Sequence, residues 1–272
     1  MTRRLVITAD DLGRDHAGTA AIHALHLAGA ITRATLIPVS PHAAQAVETF
    51  RSSGVDPQLH LTLTSDAGPG PWRPLTAGAT LRDEQGDLPA DARRVELTAD
   101  PEQVRAELDA QLDWMHRAGL EPRTADSHAG VLYGLRGGEQ LLPMVLAWCA
   151  EHRLSFRFPR EPVHHPGSGL EPWVGVRHRE AVELADAHGV RLPDALLTSR
   201  RTTADHGGYQ ALRAELIDGL RRLPEGTSEL FLHPSGPGPG IPEVRTWEAR
   251  LLQDPHWRRA LDTEKIELVE EW

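Results

Sequence analysis

Two adjacent carboxylates, Asp10 and Asp11, stand where the apolar run Leu5-Val6-Ile7-Thr8-Ala9 gives out, and Leu12-Gly13 follows them. Neighbouring carboxylates disfavour each other's ionisation, so such a pair is costly unless positive charge offsets it. A cation held by one carboxylate, with the other acting as a base, would do so. Ligands of suitable type lie in Leu59-His60-Leu61, Asp126-Ser127-His128 and Phe231-Leu232-His233-Pro234, each in or at the end of a short strand-like run. Asp11, His60 and His128 form a set of two imidazoles and one carboxylate, which leaves open positions for water and substrate. That is the pattern of a catalytic rather than a closed structural site. A cation bound there lowers the pKa of a water and polarises a carbonyl oxygen. Asp10 then reads as the general base, and His233 as an acid able to protonate a leaving amine. Asp126 precedes His128 by two positions, so in an extended strand both project to one face. It reads as a residue that orients a ligand or the acid.

Each feature also has a plainer reading. Asp10-Asp11 could cap the following helix, and His60 could be a satisfied core histidine. Asp126-Ser127-His128 could be a turn with side-chain-to-backbone bonds, and His233-Pro234 could simply end a strand. All four would have to hold together to remove the site. Other chemistries find little footing. There is no Gly-x-Ser-x-Gly elbow, Gly167-Ser168-Gly169 lacks a strand–helix setting, and no phosphate-cradling loop ends in Gly-Lys-Ser/Thr. The single cysteine, Cys149, sits among Leu146, Ala147, Trp148 and Ala150 and reads as a core helix residue, with no disulfide or thiolate cluster available to it.

These residues must be carried by regular elements. A chain of 272 residues with 40% apolar content can bury a substantial core. The formal charge of −10, without a basic block, argues against a nucleic-acid partner. No apolar stretch approaches a membrane span, and Met1 leads directly into a strand, so a soluble, cytoplasmic protein is expected. Strands are predicted over 4–9, 33–38, 58–63, 123–128, 154–158, 194–198, 228–233 and 267–269. Helices are predicted over 16–28, 42–52, 101–118, 138–152, 179–188, 209–223 and 246–261. Asp100 before Pro101 is the expected cap of the third helix. Residues 64–98 are too rich in Gly, Pro and polar groups for an ordinary connection and read as an active-site loop, and 164–173 as a second one. Trp72 and Trp173, in these two loops, are candidates for stacking on a substrate ring, or for packing the loops onto the core. Alternating strands and helices imply parallel pairing through crossovers. The expected fold is α/β, a barrel, complete or incomplete, of about seven mostly parallel strands with its site at their carboxyl ends. An open doubly wound sheet is the alternative, and 1–272 reads as a single domain.

The ordered motifs Ala9-Asp10-Asp11-Leu12-Gly13, His60-Leu61-Thr62-Leu63-Thr64, Asp126-Ser127-His128-Ala129-Gly130 and Leu232-His233-Pro234 resemble the YdjC-like carbohydrate deacetylases, which include chitooligosaccharide and hopanoid-type sugar deacetylases. The resemblance covers most of the chain. It implies a distorted TIM-like barrel, a divalent cation (magnesium or zinc), and hydrolysis of an N-acetyl group from an amino sugar. Matched by position, Asp11, His60 and His128 are the implied ligands, Asp10 the base and His233 the acid. Members acting on chitooligosaccharides tend to carry further histidines after the position of His128, where this chain reads Ala129-Gly130-Val131-Leu132-Tyr133, which alters the pocket floor. The implied partner is a small carbohydrate, with no nucleic acid or membrane, and a homodimer is the assembly left open.

Overall fold

The longest strand is β1 (Arg3–Leu12), whose apolar run is buried on both faces as a strand inside a parallel sheet must be. The computed structural model describes residues 2–51, 54, 56–66, 70–161, 172–199 and 201–272, with the side chains of 172–174 outside that description. Around β1 the chain places β2 (Arg33–Leu36), β3 (Gln58–Leu61), β4 (Thr124–Ser127), β5 (Ser155–Phe156), β6 (Leu196–Leu197) and β7 (Gly226–Leu232). These seven pair in the order β5-β4-β3-β2-β1-β7-β6, and β8 (Ile266–Leu268) pairs with the start of β1. Every pairing is parallel. The sheet curls into a half-barrel, as a distorted TIM-like fold requires. The short strands β5 and β6 form its two edges, which limits the backbone left unpaired there.

The crossovers are helical: α1 (His16–Leu27), α2 (Ala43–Arg51), α3 (Ala92–Thr98), α4 (Pro101–Arg117), α5 (Leu141–His152), α6 (Pro172–His188), α7 (Thr203–His206), α8 (Tyr209–Arg221), α9 (Glu243–Gln253) and α10 (Pro255–Thr263). Helix α1 begins where the Asp15 carboxylate accepts from Gly18 N, and it buries Thr19, Ile22 and Leu25 against the sheet. Asp100 caps α4 as expected, accepting from Glu102 N and Gln103 N with Pro101 at the first helical position. The core joins Leu5, Ile7 and Leu36 of the sheet to Trp148, Leu212 and Trp257 of the helices, and Cys149 is fully buried within it. No helix among the described residues is long and apolar enough to cross a membrane.

Three expectations change. Strand β1 runs past Ala9 through both carboxylates to Leu12. The segment 64–98 is not wholly irregular, because Asp91 caps the helix α3 and a 3₁₀ turn spans Ala79–Leu81. It is also fastened to α4: the buried Glu107 carboxylate accepts from Leu75 N and Thr76 N, and Gln103 accepts from Thr80 N. Finally, the helix expected over 246–261 is two helices. Pro255 cannot donate to the preceding turn, so α9 stops and Asp254 caps α10. Most of the loop expected over 164–173 lies outside the described residues, including Gly167-Ser168-Gly169; Trp173 belongs to the first turn of α6.

Candidate metal centre

In a regular strand, successive side chains point to opposite faces, so Asp10 and Asp11 should diverge. They do not. The pairing of β1 with β2 shifts register between Ala9 and Leu12, and Asp11 adopts a left-handed φ of 68°. For a residue with a Cβ that conformation costs roughly 1–3 kcal/mol. The bulge turns both carboxylates towards His60, which arrives on β3 in register with Asp126 of β4. His128 follows at the end of β4, where Ala129 and Gly130, at φ 50° and 67°, turn the chain sharply back. His233 follows β7, on the other side of β1 from the two imidazoles.

The three atoms Asp11 Oδ1, His60 Nε2 and His128 Nδ1 form a triangle with every side 3.3 Å. Asp11 Oδ1 is buried and accepts no hydrogen bond of normal geometry from the described residues. The imidazole nitrogens face it too poorly aligned to donate. Zinc held by nitrogen and oxygen at about 2.0–2.2 Å in a tetrahedral shell sets its ligand atoms about 3.4 Å apart. The triangle therefore fits a divalent cation.

The opposite nitrogen of each imidazole meets a carboxylate. His60 Nδ1 lies 2.5 Å from Asp126 Oδ1, and His128 Nε2 lies 3.2 Å from Asp66 Oδ1. That arrangement turns His60 Nε2 and His128 Nδ1, which meet each other at 3.3 Å, to one point with Asp11 Oδ1. The other oxygen of Asp11 accepts from Arg245 Nη2 at 2.7 Å, which leaves Oδ1 free. A second group, Asp10, His60 and Asp126, also lies within ligating range. There, however, Arg157 already supplies positive charge: it donates to both oxygens of Asp10 at 2.7 and 2.8 Å and pairs with Asp126 and Glu229. Glu229 in turn accepts from Thr8 Oγ1.

The electrostatics follow from these contacts. Burial acts to raise the Asp10 pKa, but Arg157 and His60 outweigh it and hold the carboxyl below its usual range. For Asp11, burial is overcome by Arg245 and the two imidazoles, and the result lies well below the usual range. Burial would push His60 down, yet Asp126, Asp11 and Asp10 raise it well above an ordinary histidine. His128 is raised by Asp11 and Asp66 against the same desolvation. The buried carboxylates thus favour positive charge at the two imidazoles.

Depth is graded. Asp10, Asp11 and His60 are 2% exposed, Asp66 25% and His233 35%, so His233 stands at the mouth. Its Nε2 is 4.0 Å from Asp10 Oδ2, and its backbone N–H donates to the buried Glu248. Trp72, expected to stack on a sugar, is fully buried, and its ring meets His128 edge-on at 5.4 Å between centroids. With no face open to solvent it walls the centre. The side chain of Trp173 lies outside the described residues.

Arg157, Glu229, Asp66 and Arg245 were not foreseen. For the first two a signal exists: an arginine between Phe156 and Phe158, and a glutamate in Ser228-Glu229-Leu230-Phe231, are opposite charges inside apolar runs that need each other. Asp66 and Arg245 lie in polar surroundings that carry no such mark.

Fold and centre together define a class: a parallel α/β half-barrel holding a buried carboxylate and two imidazoles at the carboxyl ends of its strands. The profile of the family described as YdjC-like protein matches residues 4–263, and the chain belongs to that family. It is 30% identical to the carbohydrate deacetylase of Homo sapiens over 97% of this chain and 89% of that one. It is 30% identical to the carbohydrate deacetylase of Mus musculus over 86% of this chain and 78% of that one. A solved structure from Enterococcus faecalis V583, described as a cellobiose-phosphate cleavage protein, superposes with a TM-score of 0.80 at 26% identity, covering 99% of this chain and 97% of that one.

Proposed function

We propose that this chain is one catalytic domain, a metal-dependent hydrolase that removes an N-acetyl group from an amino sugar or short oligosaccharide. The observation that carries the reading is the equal-sided triangle of Asp11 Oδ1, His60 Nε2 and His128 Nδ1, whose carboxylate corner is a buried oxygen that accepts no hydrogen bond from the described residues. The names of the relatives, carbohydrate deacetylases, support the substrate class. Asp11, His60 and His128 would hold a zinc or magnesium ion, which when bound activates water and polarises the amide carbonyl. Asp10, kept ionised by Arg157, accepts the proton of the attacking water. His233 at the mouth gives a proton to the amine nitrogen as the C–N bond breaks. Arg245 holds Asp11 so that a single oxygen faces the imidazoles.

The test is acetate release from a panel of N-acetylated mono- and disaccharides, before and after chelation and after cation is restored. Acetate appearing with an equal amount of free amine, lost on chelation and regained with cation, is expected. Cleavage of a sugar phosphate without acetate would contradict the reading.

A further inference from the structure

Resting on the cation site proposed above, we infer that Asp66 is the positioning residue for His128, and that the long segment between β3 and α4 is thereby tied to cation binding. The two imidazoles are braced differently. His60 leans on Asp126, its neighbour in the sheet, so its support is as rigid as the ladder between β3 and β4. His128 leans on a residue outside the sheet: its Nε2 meets Asp66 Oδ1 at 3.2 Å. Asp66 is itself held, because Arg14 Nε donates to its other oxygen at 2.5 Å while Arg14 Nη1 donates to Asp15 at 2.7 Å. Asp15 is the cap of α1. The carboxylate cannot swing from His128 without breaking an ion pair to a nearly buried arginine.

A second contact from the same segment reaches the same imidazole. Trp72 packs edge-on against His128, and its backbone is pinned: Trp72 N donates to Ser65 Oγ at 2.8 Å, and Leu88 N donates to Trp72 O at 2.8 Å. Ser65 N donating to Pro89 O at 3.1 Å closes the neck of the loop. Asp66 sets the direction of the ring and Trp72 its wall. A histidine whose second nitrogen is bonded to a carboxylate is fixed in tautomer and orientation, and losing that partner typically weakens metal binding by about 10- to 100-fold. Coupling is reciprocal: if an ordered loop favours the cation, the cation favours an ordered loop.

The experiment is Zn²⁺ competition against a chromophoric chelator on the full chain, for the wild type, Asp66→Ala, Asp66→Asn and Arg14→Gln. Hydrogen exchange of the segment 70–89 is followed with and without Zn²⁺. Asp66→Ala is expected to bind about 10- to 100-fold more weakly. Asp66→Asn should fall between, since its amide oxygen still accepts from Nε2–H, and Arg14→Gln should weaken binding in the same direction. Zn²⁺ should slow exchange in the segment in the wild type and not in Asp66→Ala. Unchanged affinity in Asp66→Ala, with only a lower Tm of the cation-free protein, would assign Asp66 a purely structural role and overturn the inference. A wild type that binds no Zn²⁺ would instead overturn the cation site itself. Should Asp66→Ala fail to fold, Asp66→Asn and Arg14→Gln decide the matter by the same readings.

Discussion

Arg157 shows most clearly what a single residue does here. It is buried with three carboxylates around it, Asp10, Asp126 and Glu229, and their combined field raises its pKa well above that of a free guanidinium despite the desolvation. Removing it strands those carboxylates in a dry interior, so Arg157→Met should lose about 3–5 kcal/mol in urea unfolding. Asp10→Asn tests the neighbouring role. It preserves shape and discards the charge proposed to accept a proton, so acetate release should fall by at least about 100-fold while Zn²⁺ affinity stays near that of the wild type. Equal turnover in this variant would remove Asp10 from the chemistry. The carboxylates and imidazoles could be picked out of the sequence because their residue types are unusual at strand ends. Arg157 could not be matched to Asp10, because 147 positions separate partners that meet only after the sheet has formed.

At the scale of elements, local chemistry that respects the regular periods was legible, and departures from them were not. The cap at Asp100 follows from residue type alone, whereas the bulge in β1 has no sequence mark, since nothing in Asp10-Asp11 announces a left-handed backbone. The junction of α9 and α10 lies between. Pro255 was visible, but the role of Asp254 depends on who surrounds it. Its carboxylate accepts from Tyr209 Oη, Arg213 Nη1 and His256 N, binding α8 to the start of α10. Asp254→Ala should therefore cost about 1–3 kcal/mol at pH 7, from a lost cap and the unpaired Tyr209 hydroxyl. The sign with pH is fixed. Burial works to raise the Asp254 pKa, but the bonds from Tyr209, His256 and Arg213 win and lower it. Its contribution is thus fully present above the unfolded value of about 3.9 and fades as the folded-state group takes up its proton. Urea unfolding of both proteins from pH 7 downwards should show the gap narrowing only below about pH 4; a constant gap would assign the effect to packing.

Across the whole molecule, the placement of β1 between β2 and β7, inside the curl, gives the site its logic. The strands β3 and β4 deliver His60 and His128 from one side of β1, and β7 delivers His233 from the other. A parallel architecture with chemistry at the carboxyl ends was readable from the alternation of elements, and membership of the YdjC-like family agrees with it. The irregular segment between β3 and α4 was readable as important but not as a brace, because Asp66 and Trp72 earn their places only through His128, some 60 positions away. The most direct test of the central claim is anomalous diffraction from crystals grown with Zn²⁺. One peak is expected, within about 2.0–2.2 Å of Asp11 Oδ1, His60 Nε2 and His128 Nδ1 together. A peak on Asp10 and Asp126 instead, or no peak near the two imidazoles, would contradict the account.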